Sequence, residues 1–118
     1  LNSKEGKIEE NTSISGLVSL GKNTIVHERS TIRGPVILGE NCEIGPDVYI
    51  GPYTSIGNQV KIENSEIENS IVMDGALIAC GKRIIDSLIG MKANVVCSKD
   101  AVPSGAKLIL GDMTYVGI

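Results

Sequence analysis

The sequence predicts an all-β fold, a single-stranded parallel β-helix of about six triangular coils built from hexapeptide repeats. Two regularities carry this prediction. An aliphatic residue returns at every sixth position from Ile8 to Ile62, and a small or β-branched residue stands two positions before each one. A period of six fits neither an α-helix nor an unbroken strand, so each unit is a short strand followed by a turn. Repetition of this kind is typical of β-helices.

The repeat also indicates how the core forms. The aliphatic set comprises Ile8, Ile14, Leu20, Val26, Ile32, Leu38, Ile44, Ile50, Ile56 and Ile62. Residues two apart in a strand face the same side, so the aliphatic residue and the small residue before it both point inward. One coil cannot bury this surface alone, whereas coils stacked at about 4.8 Å form continuous aliphatic columns.

Corner residues indicate three units per coil. Asn23, Asn41 and Gln59 stand 18 residues apart, and asparagine tolerates the positive φ that a tight corner requires. Composition agrees with a narrow prism, because the 118 residues include no Phe or Trp. A β-sandwich, the alternative all-β fold, would not keep a period of six through ten repeats.

The regular part is predicted to cover residues 8–97. Residues 1–7 are polar and are predicted to be a linker. After Ile62 the spacing contracts to five at Ile67 and Val72, and the stretch from Ala79 to Arg83 interrupts it, which predicts a small protruding loop. Residues 98–118 lose the pattern and are predicted to cap the open end of the stack, where strand edges would otherwise be exposed.

Cysteine spacing and hydropathy bear on the state of the thiols, on metal binding and on the cellular location of the protein. Cys42 occupies a small inward position and is predicted to be a buried free thiol, and Cys80 and Cys97 are predicted to be reduced as well. Their spacing does not fit a zinc site, so no metal site is predicted. The residues contain neither a signal peptide nor an apolar run of about 18 residues, which predicts a cytoplasmic protein without a membrane partner.

Several runs resemble a known family. Residues 50–57, 62–72, 83–90 and 110–112 resemble the C-terminal left-handed β-helix of long-form glucose-1-phosphate thymidylyltransferases. The resemblance implies left-handed coils and a structural or oligomerising role in a sugar-1-phosphate nucleotidyltransferase. In that family an N-terminal nucleotidyltransferase domain, with Mg²⁺, makes dTDP-glucose and pyrophosphate from dTTP and glucose 1-phosphate. No glycine-rich phosphate loop leads from a strand into a helix in these residues, so we expect no catalytic residue in this chain.

The alternative function is an acetyl-CoA-dependent amino-sugar-phosphate N-acetyltransferase of the hexapeptide family. Its general base would be His27, the only histidine, and CoA would bind a basic group. The candidates for that group are Lys82, Arg83, Lys92 and Lys107. Residues 1–78 carry 6 basic and 11 acidic side chains, a net charge of −5, whereas residues 79–118 carry 5 and 3, a net charge of +2. His27 and these basic residues are predicted to lie about three coils apart, roughly 15 Å, so the first function is preferred.

Partner predictions follow from charge and from the outward positions. The chain is acidic, with a pI near 5.1 and no aromatic platform, which argues against nucleic acid. One outer face collects Ser19, Ile37, Ser55, Ile71 and Leu88, which carry no charge. An exposed apolar stripe of this kind marks a contact surface. We therefore expect self-association through this face, as a trimer by resemblance to other hexapeptide proteins.

Overall fold

The structure is a computed structural model that describes residues 3–96, 109–110 and 115–117, with side chains described from residue 5 to residue 96. The strands of these residues are β1 (Ser3–Lys4), β2 (Lys7–Ile8), β3 (Ser13–Ser15), β4 (Val18–Leu20), β5 (Ile25–Val26), β6 (Thr31–Arg33), β7 (Val36–Leu38), β8 (Glu43–Ile44), β9 (Tyr49–Ile50), β10 (Thr54–Ile56), β11 (Lys61–Ile62), β12 (Glu66–Glu68), β13 (Ile71–Val72), β14 (Leu77–Ala79), β15 (Arg83–Ile85), β16 (Leu88–Ile89), β17 (Asn94–Val96), β18 (Ile109–Leu110) and β19 (Tyr115–Gly117). No helix occurs in this part of the chain, so none of it could cross a membrane as a helix.

The strands form three parallel sheets. From β4 to β17 each strand pairs with the strand three before it, and β18 and β19 pair with β16 and β17. Sheet A contains β1, β4, β7, β10, β13, β16 and β18, sheet B contains β2, β5, β8, β11, β14, β17 and β19, and sheet C contains β3, β6, β9, β12 and β15. The chain visits sheets B, C and A in turn and winds through about five triangular turns. The predicted all-β parallel solenoid is therefore confirmed, while the left-handed sense stays a prediction.

Aliphatic columns fill the interior of the prism. Val26, Ile44 and Ile62 pair in register on sheet B and are fully buried. The contracted repeats keep the pattern, since Ile67 and Val72 are also buried. Ile8 is 37% exposed and Ile14 is partly buried. Both lie in end strands, β2 of sheet B and β3 of sheet C, which pair on one side only among the described strands. Stacking of like side chains thus supplies the core, as the repeat predicted.

Corner residues carry the backbone geometry that closes each turn. Asn23, Asn41 and Gln59 have φ near 60°, which confirms their predicted corner positions. Their amides bond to the coil before: the Asn41 amide donates to Lys22 O at 2.9 Å, and the Gln59 amide donates to Glu40 O at 2.8 Å. Each corner is therefore hydrogen-bonded to its neighbour in the stack.

The interruption between Ala79 and Arg83 is a corner of ordinary size. Ala79 ends β14, Arg83 begins β15, and Cys80 between them is 5% exposed. The predicted protruding loop is wrong, because the left-handed conformation of Gly81, with φ of 70°, turns the chain within three residues.

The two ends extend the strand pairing. Ser3 and Lys4, within the segment predicted as a linker, pair with Ser19 and Leu20. The predicted capping segment 98–118 lies largely outside the described residues. Its two described strands, β18 and β19, pair in parallel with β16 and β17 and so continue sheets A and B.

Candidate functional sites

His27 lies at the corner after β5, directly below Gly45 in the stack. Its Nδ1 is 3.1 Å from Glu9 Oε2 in the coil before, and its Nε2 is 3.1 Å from Glu43 Oε2 in the coil after. The imidazole is one quarter exposed. Sequence reasoning placed His27 at a corner but missed both carboxylates. Glu9 precedes His27 by the full coil spacing of 18 residues, which is the signal that could have identified it.

This arrangement does not provide a general base. A base needs one ring nitrogen whose lone pair faces the substrate, and both nitrogens of His27 face carboxylate oxygens. The contacts instead join three successive coils at one corner. The geometry of His27 therefore supports a structural role, which is to connect these coils.

The surface around His27 is acidic. It forms an open groove of about 190 Å³, whose lining includes Glu28, Glu63 and the two carboxylates that contact His27, with Lys61 as its basic member. A CoA molecule carries several phosphate charges, and four carboxylates would repel it. Within the described residues, no group of His, Cys, Asp and Glu side chains is placed to hold a metal ion.

The basic residues of the alternative function are not brought together. Lys82 lies at the corner between sheets B and C and Arg83 begins β15 directly after it, whereas Lys92 lies at the corner between sheets A and B. Arg83 forms an ion pair with Glu68, which neutralises part of its charge. Lys107 lies outside the described residues. The structure therefore assembles no CoA site from Lys82, Arg83 and Lys92.

A second ion pair ties two coils at the corner between sheets B and C. Arg29 Nε donates to Asp47 Oδ1 at 2.8 Å, across a spacing of 18 residues. The hydrogen bond from Arg29 holds the pKa of the Asp47 carboxyl below its ordinary value. Both side chains are about half exposed, so we assign this pair to the surface and to no site.

The cysteines differ from each other. Cys42 is a buried free thiol, as predicted, and its Sγ donates to Gly57 O at 3.0 Å. Burial raises the pKa of this thiol, which disfavours the reactive thiolate. Cys80 is disulfide-bonded, so its predicted reduced state is wrong. Cys97 lies outside the described residues.

The uncharged outer face predicted for self-association exists in the predicted register. On sheet A, Ser19 pairs with Ile37, Ile37 with Ser55, Ser55 with Ile71, and Ile71 with Leu88. The three apolar members are exposed by 61%, 53% and 39% in chain order. The outward column of sheet B instead carries Lys7, Ile25, Glu43, Lys61, Leu77 and Asn94. Sheet A therefore has the more apolar face of the two.

Comparison with known proteins gives one family and two informative relatives. The family described as the GMPPB C-terminal domain matches residues 32–102. The chain is 40% identical over 114 residues to glucose-1-phosphate thymidylyltransferase of Streptomyces antibioticus, covering 97% of this chain and 31% of that protein. It is 33% identical over 109 residues to the low-salt glycan biosynthesis nucleotidyltransferase of Haloferax volcanii, covering 92% of this chain and 30% of that protein. The chain thus spans about a third of the length of these relatives.

Among solved structures, the chain is similar to the X-ray structure of a putative acetyltransferase from Bacillus cereus. The TM-score is 0.51 with 17% sequence identity, and the match covers 95% of this chain and 69% of that one. At this identity the likeness concerns the fold alone.

Proposed function

The chain belongs to the family of GMPPB C-terminal domains, and from this membership we propose that it is the structural and oligomerisation domain of a sugar-1-phosphate nucleotidyltransferase. The observation that carries the proposal is the 40% identity along nearly the whole chain to one third of a glucose-1-phosphate thymidylyltransferase. The remaining two thirds of that relative has the size of a separate catalytic domain.

The name of that relative supports a proposal for the activity of the whole protein. We propose that the longer protein joins dTTP and glucose 1-phosphate into dTDP-glucose with release of pyrophosphate, in the cytoplasm. Mg²⁺ would act in the nucleotidyltransferase domain, where the substrate phosphates would bind. This chain would contribute no group to the chemistry and would hold copies of the enzyme together, most simply as a trimer.

A pyrophosphate assay tests whether the catalytic activity belongs to the longer protein and not to this chain alone. The purified chain should release no pyrophosphate from dTTP and glucose 1-phosphate above a buffer control. The protein encoded with its upstream coding sequence should release pyrophosphate under the same conditions. Activity in the isolated chain, or none in the longer protein with any sugar phosphate and nucleoside triphosphate pair, would contradict the proposal.

The oligomeric role has a separate test. Ile37 and Ile71 on sheet A are more than half exposed, and replacing both by Glu would place charges in a buried contact. We expect sedimentation to show smaller assemblies for this double variant than for the unmodified chain. Leu77→Glu, at an exposed position on sheet B, is the matched control and should leave the mass unchanged. A monomeric unmodified chain at micromolar concentration would refute the role.

The acetyltransferase alternative has no observation in its favour beyond the fold. Both nitrogens of His27 face carboxylates, and the basic residues Lys82, Arg83 and Lys92 lie at or beside two different corners. Incubation with acetyl-CoA and amino-sugar phosphates should therefore release no CoA thiol. Release that His27→Ala abolishes would reinstate this function.

A further inference from the structure

The apolar surface around sheet A is not confined to its central column. At the corner that leads into the sheet, Leu17 before β4 is 55% exposed and Tyr53 before β10 is 72% exposed. At the corner that leaves the sheet, Met73 after β13 is 38% exposed and Met91 after β16 is 36% exposed. The exposed apolar residues therefore lie beside the column from Ser19 to Leu88. They are on its entry side at β4 and β10 and on its exit side at β13 and β16.

Polar residues occupy the complementary corners. Where the chain leaves the sheet after β4 and β7, the exposed residues include Lys22 and Glu40. Where it enters the sheet before β13 and β16, the exposed residues are Asn69 and Asp86. The apolar surface thus crosses the face of sheet A obliquely, away from Lys22 and Glu40 at one end and from Asn69 and Asp86 at the other. The exposed residues Asp74 and Lys92 follow Met73 and Met91 at the corner that the stripe reaches. We call the apolar surface the oblique stripe.

The face that carries the stripe is large enough for a specific contact with a second copy of the chain. The molecule measures 36 × 26 × 20 Å, so one long face offers roughly 700 Å². Specific interfaces bury about 800 Å² on each partner. The stripe also extends over five strands of one sheet, which fits an equally long partner.

We infer that the copies of this chain associate through the oblique stripe, with their prism axes inclined to the symmetry axis of the assembly. This inference rests on the proposed oligomeric role. The physical reason is the one that makes coiled coils supercoil: a stripe that drifts across a rod faces the symmetry axis along its whole length when the rod is tilted. Prisms parallel to the axis would bury the central column but would leave one end of the stripe in water.

Paired cysteine variants distinguish the two arrangements. Leu17 and Lys22 lie at opposite corners of β4, and Asp86 and Met91 lie at opposite corners of β16. In the inclined assembly, a short bismaleimide should cross-link Leu17→Cys and Met91→Cys between copies several-fold more than Lys22→Cys and Asp86→Cys. The unmodified chain, with its own cysteines, is the control for background cross-linking.

The outcomes separate this inference from the proposed role. A chain that sediments as a monomer overturns both. An oligomer in which the two corners of β4 cross-link equally, and likewise those of β16, overturns the inclined packing and leaves the oligomeric role intact. Preferential cross-linking at Leu17 and Met91 supports the inclined packing, and circular dichroism of each variant verifies that it is folded.

Discussion

At the scale of single residues, the small inward positions tie the coils together through hydroxyl groups. Ser70 Oγ donates to Glu68 O at 2.9 Å and accepts from the Ser87 amide at 3.1 Å. Ser65 makes the equivalent pair of bonds with Glu63 O and the Cys80 amide. Thr24 Oγ1 accepts from the Cys42 amide in the same way but donates to Gly39 O in the next coil. Ser30 differs, because its buried Oγ has no partner among the described residues. The same residue type therefore stabilises one coil and leaves an unpaired polar atom in another.

Replacing these two serines by alanine should give opposite results. Ser70→Ala removes one buried and one partly buried hydrogen bond and should lower the free energy of unfolding by about 1–3 kcal/mol. Ser30→Ala removes an unpaired hydroxyl and should leave stability unchanged or raise it by up to about 1 kcal/mol. Urea denaturation followed by circular dichroism measures both. An equal loss in the two variants would show that Ser30 Oγ has a partner such as a bound water.

Cys42 should make stability depend on alkaline pH. Burial raises the pKa of the folded thiol above the ordinary value of 9.0, so the unfolded chain loses this proton first. The contribution is fully present below the unfolded pKa and is lost as pH rises through the raised folded pKa. We expect the urea midpoint to fall more between about pH 8 and pH 10 in the unmodified chain than in Cys42→Ala. Parallel pH profiles for the two proteins would contradict this.

Side-chain partners were harder to predict than positions. The six-residue period fixed the columns, so the outward register from Ser19 to Leu88 was correct residue by residue. The contacts of His27 were missed, because they depend on the rotamers of Glu9 and Glu43 in two other coils. The disulfide of Cys80 was also missed, because the sequence pattern does not determine which cysteines are bonded.

At the scale of elements, the corners resemble one another more than their sequences do. Asn11, Arg29 and Asp47 occupy successive levels of one corner, and all have φ near 60°. Left-handed backbone in residues with a Cβ costs about 1–2 kcal/mol each. The backbone hydrogen bonds between corners, such as the 3.0 Å bond from the Arg29 amide to Asn11 O, offset this cost.

Asn41 provides a test of corner conformation. Its φ is 58°, and its side chain is exposed. Asn41→Val should lower the free energy of unfolding by at least about 1–2 kcal/mol, because a β-branched residue is strained in this conformation. Asn41→Gly, which adopts positive φ without strain, should change it by less than about 0.5 kcal/mol. Equal losses measured by urea denaturation would show that the asparagine side chain, and not the backbone, determines stability here.

Of the irregular corners, the sequence predicts the two shortened ones correctly and the one between Ala79 and Arg83 wrongly. The shortening to five residues before Ile67 and Val72 was read correctly, because the small residues Ser65 and Ser70 kept their spacing from them. Between Ala79 and Arg83 the inward residue is Cys80, which does not stand out as a repeat position. The corner was therefore mistaken for a loop.

At the scale of the whole molecule, each described strand pairs only with its neighbours in the preceding and following coils. Strand β8, for example, pairs with β5 and β11 and with no other strand of the described chain. Opening an end coil breaks one such interface, whereas opening a central coil breaks two. His27 partly offsets this for the first coil through its contact with Glu9.

Hydrogen exchange should reveal this gradient. The Glu9 amide donates to Val26 O near one end, and the Gly51 amide donates to Ile67 O in the middle. We expect the Glu9 amide to exchange at least about tenfold faster than the Gly51 amide, a difference of about 1.4 kcal/mol in opening free energy. His27→Ala should widen the gap, since it releases the first coil. Uniform exchange along the stack would mean that the whole prism opens as one unit.

Because the coils stack in register, the effect of an insertion or deletion depends on its length relative to one turn. Corner pairs such as Arg29 and Asp47 are 18 residues apart. The shortened turns still bring Asp86 above Asn69, at a spacing of 17 residues. Insertion or deletion of a whole turn would lengthen or shorten the prism and leave every later residue on its own face. Insertion of six residues would keep the core intact but rotate everything downstream by one side. The oblique stripe would then be cut in two, so a molecule that folds normally would lose its continuous contact surface.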